Sequence, residues 1–195
     1  MARPRGRRRR RSPRTIHPAR LAKLERALRG EDPGLIAQRA ADALGKTREG
    51  QRLLVRVISS PGAPALREAA VYGLLFAPVA PAHLVLMRRV LADPREDAGV
   101  RGQAAEVLGS HYSNHPHLWQ RRYQRVVRAL VRGLDDPDPE VRYWCIFALS
   151  DRRHTWLLPK LRHIAATDTA QSRSRMPLRK EALDAIEDIE WASMP

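Results

Sequence analysis

The chain has 195 residues, and its 36 Lys and Arg outnumber its 21 Asp and Glu, for a formal net charge of +15. A composition that is 43% hydrophobic and only 5% aromatic argues against disorder of the whole chain and against an all-β fold. The single cysteine, Cys145, excludes an internal disulfide bond. No run of 18 apolar residues occurs, so we expect no membrane-spanning helix and a cytoplasmic location.

Residues 1–15 are predicted to form a disordered, arginine-rich arm. The segment MARPRGRRRRRSPR has no apolar periodicity and contains five consecutive arginines: Arg7, Arg8, Arg9, Arg10 and Arg11. Such a run can bind nucleic acid or another polyanion by displacing counterions. Because the chain has 32 Arg and only 4 Lys, a GC-rich coding sequence would also explain the run, as would a role in solubility or a start site further downstream. The sequence leaves these interpretations open.

From Pro18 onward, the sequence predicts five consecutive pairs of helices. Apolar residues recur at helical spacing, and short loops rich in Asp, Pro and Gly separate the segments. The first helices of the pairs carry their apolar residues at 21–28, 53–58, 84–91, 126–134 and 157–165. These stripes are wide enough for each helix to bury one side.

The second helices of the pairs share a repeated frame. Its two clearest copies are DPREDAGVRGQAAEVLGS and DPDPEVRYWCIFALS, centred on Arg101 and Arg142. In both, Val precedes the arginine, a small residue follows it by three positions, and Leu follows it by seven. Weaker copies are centred on Ala37, Arg67 and Arg179, so the spacings are 30, 34, 41 and 37 residues. Repeats of this length built from paired helices are typical of an α-solenoid.

The frame resembles the HEAT repeat, specifically the bacterial HEAT-like type, over about residues 18–190. The resemblance implies an all-α fold, a short right-handed α-solenoid of about five HEAT-like helix pairs, which we assign to residues 16–195. It also implies a ladder between neighbouring units, in which loop aspartates pair with helical arginines. The positions that match this ladder are Asp93, Asp136, Arg101 and Arg142.

The stretch SHYSNHPHLW is predicted to connect the third and fourth units. It contains His111, His115 and His117, and imidazole is a good metal ligand. However, Asn114 and Pro116 favour a turn over the helix that this spacing would need. We therefore expect no metal and no other cofactor. The common nucleotide-binding, hydrolase and metalloprotease motifs are absent from the sequence, which leaves catalysis open but favours a binding role.

The second helix of the fourth unit supplies the candidate partner-binding residues. Val141, Cys145 and Leu149 should point into the core, whereas Tyr143 and Phe147 fall on another stripe. That stripe is either exposed as a binding anchor or packed against the next unit. The candidate residues are Tyr143, Phe147, Arg142, Arg152 and Arg153, whose arginines favour an acidic peptide or a nucleic-acid backbone.

The predicted function is a noncatalytic interaction module that binds a protein partner, with the basic arm adding affinity for polyanions. The alternative is a nucleic-acid-binding or DNA-repair HEAT-like protein. HEAT-like alkylpurine DNA glycosylases use Trp and Asp on a basic concave face, and Trp119, Trp144, Trp156 and Asp151 offer those residue types, although core packing is the commoner fate of Trp144 and Trp156. A basic concave face would favour this alternative, and an apolar or mixed face would favour a protein partner. The sequence does not indicate an oligomeric state.

Overall fold

The computed structural model describes residues 15–30, 35–78, 80–113, 121–150 and 154–193, and within them the chain forms ten α-helices without a β-strand. The helices are α1 (Pro18–Leu28), α2 (Leu35–Gly45), α3 (Arg48–Ser59), α4 (Pro64–Gly73), α5 (Pro81–Ala92), α6 (Ala98–Ser113), α7 (Arg121–Gly133), α8 (Pro139–Ser150), α9 (Leu158–Thr167) and α10 (Leu178–Ala192). The predicted all-α fold is confirmed. The predicted arm is covered only at residue 15.

The helices form two layers. Each even-numbered helix packs against the next one, from α2 through to α10, and the contact between α6 and α8 is the most extensive between any two of the described helices. The odd-numbered helices pack mainly against their own partners in each pair and contact one another less. We call α2, α4, α6, α8 and α10 the inner layer, and α1, α3, α5, α7 and α9 the outer layer, because the closer layer lies on the concave side of a curved solenoid.

Small residues allow the inner-layer helices to approach closely. The frame position three residues after the arginine is fully or almost fully buried in every unit, at Ala40, Ala70, Ala104, Cys145 and Ala182. Gly109 lies against the next helix, and a Cβ added there would stand 2.6 Å from the Cβ of Ala148. As predicted, Val141, Cys145 and Leu149 are in the core.

The predicted ladder is present, with three rungs. Arg67 pairs with Glu96, Arg101 with Asp136, and Arg142 with Asp168. In the last rung, Nε of Arg142 donates to Oδ2 of Asp168 at 2.8 Å and Nη2 donates to Oδ1 at 3.2 Å. Each rung ties an inner-layer helix to the loop of the next unit, and a bidentate, charge-assisted pair such as Arg142 with Asp168 is strong.

One member of the ladder was predicted wrongly. Asp93 pairs with no arginine side chain among the described residues, and its Oδ1 instead accepts a hydrogen bond from the backbone amide of Arg95 at 3.0 Å. Glu96 takes the predicted place, because the turn directs that longer side chain towards Arg67. In the fifth unit, Nε of Arg179 donates to the carbonyl of Ala165 at 2.8 Å.

The connection between the third and fourth units begins later than predicted. Helix α6 continues to Ser113, so His111 lies in a helix and not in a turn. Its side chain is buried, and Nε2 lies 2.9 Å from the carbonyl oxygen of Leu74. The helix continues because the first strong breaker, Pro116, comes five residues later. His115 and His117 lie outside the described residues.

Candidate partner-binding surface on the inner layer

The solvent-facing side of the inner layer is centred on one position of the repeat. The residue five places after the ladder arginine is Tyr72 on α4, Glu106 on α6, Phe147 on α8 and Asp184 on α10. All four are at least partly exposed, although most of the surrounding residues of α6 and α8 are buried. We call this surface the inner face, and it comprises Glu68, Tyr72, Gln103, Glu106, Glu140, Tyr143, Trp144, Phe147, Glu181 and Asp184.

An aromatic cluster lies near the middle of the inner face. The ring of Trp144 meets those of Tyr143 and Phe147 edge to face, with centroids 5.4 and 5.6 Å apart. The indole rests on Gly102, where an added Cβ would collide with it, and its Nε1 donates to Glu140 Oε1 at 2.8 Å. Trp144 is thus held in place, and Phe147, 46% exposed, is the member of the cluster that faces solvent.

Of the two aromatic residues predicted to bind a partner, Tyr143 is the less available. It is half-buried against the core, and its hydroxyl lies near the carboxylate of Glu181 on α10. Burial, together with Glu181 and other nearby carboxylates, raises the pKa of Tyr143 to about 12. The phenol therefore stays protonated beside the carboxylates of α10, so the stripe is part packed and part exposed.

Partly buried carboxylates lie on the same inner face as the aromatic cluster. Burial raises the pKa of Glu106. The side-chain amide of Gln103 donates a hydrogen bond to Oε2 of Glu106, and this bond opposes the shift. Burial likewise raises the pKa of Glu68 and of Glu181. Partly desolvated carboxylates of this kind are costly when ionised, and they are candidates for groups that a cationic ligand would stabilise.

Arg173 of the fifth unit stabilises the edge of the inner face. Arg173, in the loop before α10, donates from Nη1 and Nη2 to the two carboxylate oxygens of Asp97 at 3.0 Å each. Its backbone amide donates to Glu140 Oε2 at 2.6 Å. The hydrogen bonding from Arg173 lowers the pKa of Asp97. Arg173 thus ties the fifth unit to the loop of the third, across the start of α8.

The predicted arginines are not gathered beside Phe147. The guanidinium of Arg142 lies in the ladder, where Nη1 also donates to the carbonyls of Asp136 and Pro137 at 2.8 and 3.0 Å. Arg152 and Arg153 lie outside the described residues, as do Arg7 to Arg11.

The nucleic-acid alternative would use Trp and Asp side chains on the concave face. Of its candidate tryptophans that the structure describes, Trp144 lies in the aromatic cluster of the inner face, whereas Trp156 does not. Trp156 is 58% exposed, so the expectation that it packs in the core is wrong. It lies in a short 3₁₀ turn, Thr155–Leu157, that precedes α9, and its ring is near that of His154, with centroids 5.6 Å apart. Trp119 and Asp151 lie outside the described residues.

Charge is divided between the two layers, which sequence reasoning missed. The helical segments of the outer layer contain fifteen Arg and Lys but only two acidic residues, Glu25 and Glu49. Those of the inner layer contain six basic and nine acidic residues. The signal was in the sequence, since aligning the five units on the ladder arginine separates the two sets. The inner face is therefore mixed, acidic and aromatic.

The described part of the chain offers neither a metal centre nor a membrane span. No group of three His, Cys, Asp or Glu side chains there is placed to hold a metal ion. No described helix is both long and apolar enough to cross a membrane.

The comparison with protein families agrees with this geometry. Residues 86–176 match the family model of HEAT repeats. The matched segment contains both of the clearest copies of the frame and two of the three ladder rungs. No curated protein shows a significant match to the chain. This central segment, a little under half of the chain, is therefore similar to HEAT repeats in its sequence as well as in its paired helices.

Proposed function

We propose that the chain is a noncatalytic interaction module that binds a partner protein on its inner face. The observation that carries this proposal is Phe147, an exposed aromatic side chain on α8 of the concave layer that packs against the ring of Trp144. Aromatic side chains in such settings are typical binding anchors. HEAT repeats in general serve as scaffolds for protein interactions, which supports the same assignment.

The carboxylates around Phe147 indicate the chemistry of the partner. Glu106 and Glu68 are partly desolvated and their pKa values are raised by burial, so a cationic group placed beside them would relieve an unfavourable charge. Trp and Phe faces also attract guanidinium groups. We therefore expect a partner segment that carries Arg or Lys next to an apolar residue, whereas the arginines at 142, 152 and 153 alone would favour an acidic one.

The state of the single cysteine supports a noncatalytic role. Cys145 is fully buried, and burial raises the pKa of its thiol. A buried, protonated thiol is a poor nucleophile. Its place in the repeat frame, against Gly133 of α7, makes it a small core residue.

The proposal is tested by affinity purification of partner proteins with paired variants. Phe147→Ala removes the exposed anchor, and Trp156→Ala removes a similarly exposed aromatic side chain away from the inner face. We expect a protein captured by the wild type to be lost with Phe147→Ala and retained with Trp156→Ala, with Kd for the purified partner raised about tenfold to thirtyfold by the first change. Equal loss with both variants, or no captured protein at all, would contradict the proposal.

The predicted arm adds a second element to the proposal. Residues 1–14 carry eight arginines and no acidic residue, which supports affinity for polyanions. The inner face itself, with its partly buried carboxylates, does not support the alternative in which a basic concave face holds nucleic acid. DNA binding by the full chain with Gln in place of Arg7 to Arg11 measures the contribution of the arm.

A further inference from the structure

We propose that the outer layer binds the phosphate backbone of a nucleic acid, and that Arg125, Arg128 and Arg132 of α7 form the centre of this surface. Helices α5, α7 and α9 contain no Asp or Glu, and α7 alone contains five arginines. A nucleic-acid backbone is the ligand that such a concentration of positive charge attracts without base contacts. This surface lies on the opposite layer from the proposed partner-binding site and is independent of it.

The arginines of α7 are aligned for a linear polyanion. Arg125, Arg128 and Arg132 are exposed, and their spacing of three and four residues places them on one stripe of the helix. The stripe is roughly 10 Å long at 1.5 Å per residue. Duplex DNA carries about six negative charges over that distance. Three guanidinium groups therefore face enough phosphates for each to find a partner.

These three arginines have no anionic partner within the described part of the chain. Several basic residues elsewhere do have an anionic partner: Lys160 pairs with Asp135, Arg162 pairs with Glu190, and Arg101 pairs with Asp136 in the ladder. Like charges spaced in this way on one helix repel one another. A stripe of positive charges without anionic partners therefore lowers the stability of the free protein. An anionic ligand would remove this repulsion.

A coding bias towards arginine does not account for the arrangement. Such a bias would act on both layers alike and would not remove Asp and Glu from three outer helices while leaving nine in the inner layer. The arrangement is positional, which is the pattern expected when one surface meets a polyanion.

The shape of α7 favours a nucleic acid over a lipid surface. Its apolar residues Val126 and Leu130 are buried in the core, so its exposed side offers Gln and Arg and no large apolar group to insert between lipids. A helix that lies in a membrane interface needs an exposed apolar face.

The test is fluorescence anisotropy with a labelled 20-base-pair DNA duplex and the full chain, between about 50 and 200 mM salt. The outer variant carries Arg125→Gln, Arg128→Gln and Arg132→Gln. A control variant, with Arg39→Gln, Arg95→Gln and Arg175→Gln, removes the same charge from exposed positions elsewhere. An arm variant carries Gln in place of Arg7 to Arg11. An Arg→Lys version of the outer variant keeps the charge.

We expect the outer variant to raise Kd at least tenfold, and to lower the slope of log affinity against log salt by about 0.9 for each phosphate that is no longer neutralised. The control and lysine variants should bind within about threefold of the wild type, because they keep the positive stripe. The proposal is overturned if the outer and control variants bind alike, if the arm variant alone abolishes binding, or if the lysine variant is as weak as the glutamine one. Binding confined to vesicles containing phosphatidylserine would overturn it in favour of a membrane surface.

Discussion

The frame arginines of the inner layer and the exposed arginines of α7 in the outer layer are used in opposite ways. In the inner layer, Arg67, Arg101 and Arg142 are each neutralised by a carboxylate of the next unit. In the outer layer, Arg125 and Arg128 are exposed and pair with no carboxylate of the described chain. The contrast shows that the net charge of a repeat protein says little until each charge is assigned to a layer.

Replacing one arginine in each layer by methionine should give the largest difference between two variants in the free energy of unfolding. Arg101→Met leaves Asp136 partly buried without its partner, and breaking such a pair should lower the free energy of unfolding by about 3 kcal/mol. Arg128→Met removes an exposed charge and should change it by no more than about 0.5 kcal/mol. Urea unfolding followed by circular dichroism measures both. Equal effects would mean that the ladder is not a structural element.

One added methyl group should disrupt the close packing of two inner-layer helices. Gly109→Ala would place a Cβ 2.6 Å from that of Ala148, and the overpacking should cost about 2 kcal/mol. Gly62→Ala is the control, because a Cβ there meets nothing within 4 Å. Thermal unfolding should show a clear loss for the first variant and none for the second. A neutral Gly109→Ala would show that α6 and α8 tolerate a wider separation.

The free energy of unfolding should depend on pH through His83 of the outer layer. Burial, with His111 adding to it, lowers the pKa of His83 on α5. The unfolded chain therefore takes up a proton near pH 6.5 while the folded chain does not, so the stability contribution is complete above that pH and is lost as the pH falls below it. Comparing unfolding at pH 7.5 and 5.5 measures the loss. His83→Leu should reduce this loss, and the same change at exposed His163 should not.

The smallest effect should come from an inner-face carboxylate. Because burial raises the pKa of Glu106, its ionised form opposes folding at neutral pH, and the penalty disappears below the unfolded value near pH 4.3. Glu106→Gln should therefore raise stability slightly at pH 7 and have no such effect at pH 3.5, where both states are protonated. The exposed Glu187→Gln is the control. A destabilised Glu106→Gln variant at pH 7 would argue that the carboxylate is structural and not kept for a ligand.

Much of the fold could be predicted because helix periodicity and small-residue positions are local signals. The ten helices and the burial of Ala104 and Cys145 follow directly from the repeated frame. Side-chain partners were harder, since the choice of Glu96 over Asp93 depends on how one turn directs two carboxylates. The end of α6 was placed wrongly because His111 reads as a loop residue until the core around Leu74 is known.

The candidate site was predicted in part. The stripe containing Phe147 was found from spacing alone, whereas the packing of Tyr143 against α10 depends on how far the fifth unit overlaps the fourth. The carboxylates of the inner face were missed because each lies on a different helix, and only the stacking of the units brings them together.

The division of charge between the layers gives the solenoid a permanent electric dipole across its width. Near a polyanion the molecule should experience a torque as well as an attraction, and it would turn the basic side towards the polyanion before contact. The aromatic cluster on the other side would then point into solvent. In this orientation one small module could lie on a charged polymer and still present Phe147 to a second molecule, so that recognition on one side would not obstruct recognition on the other.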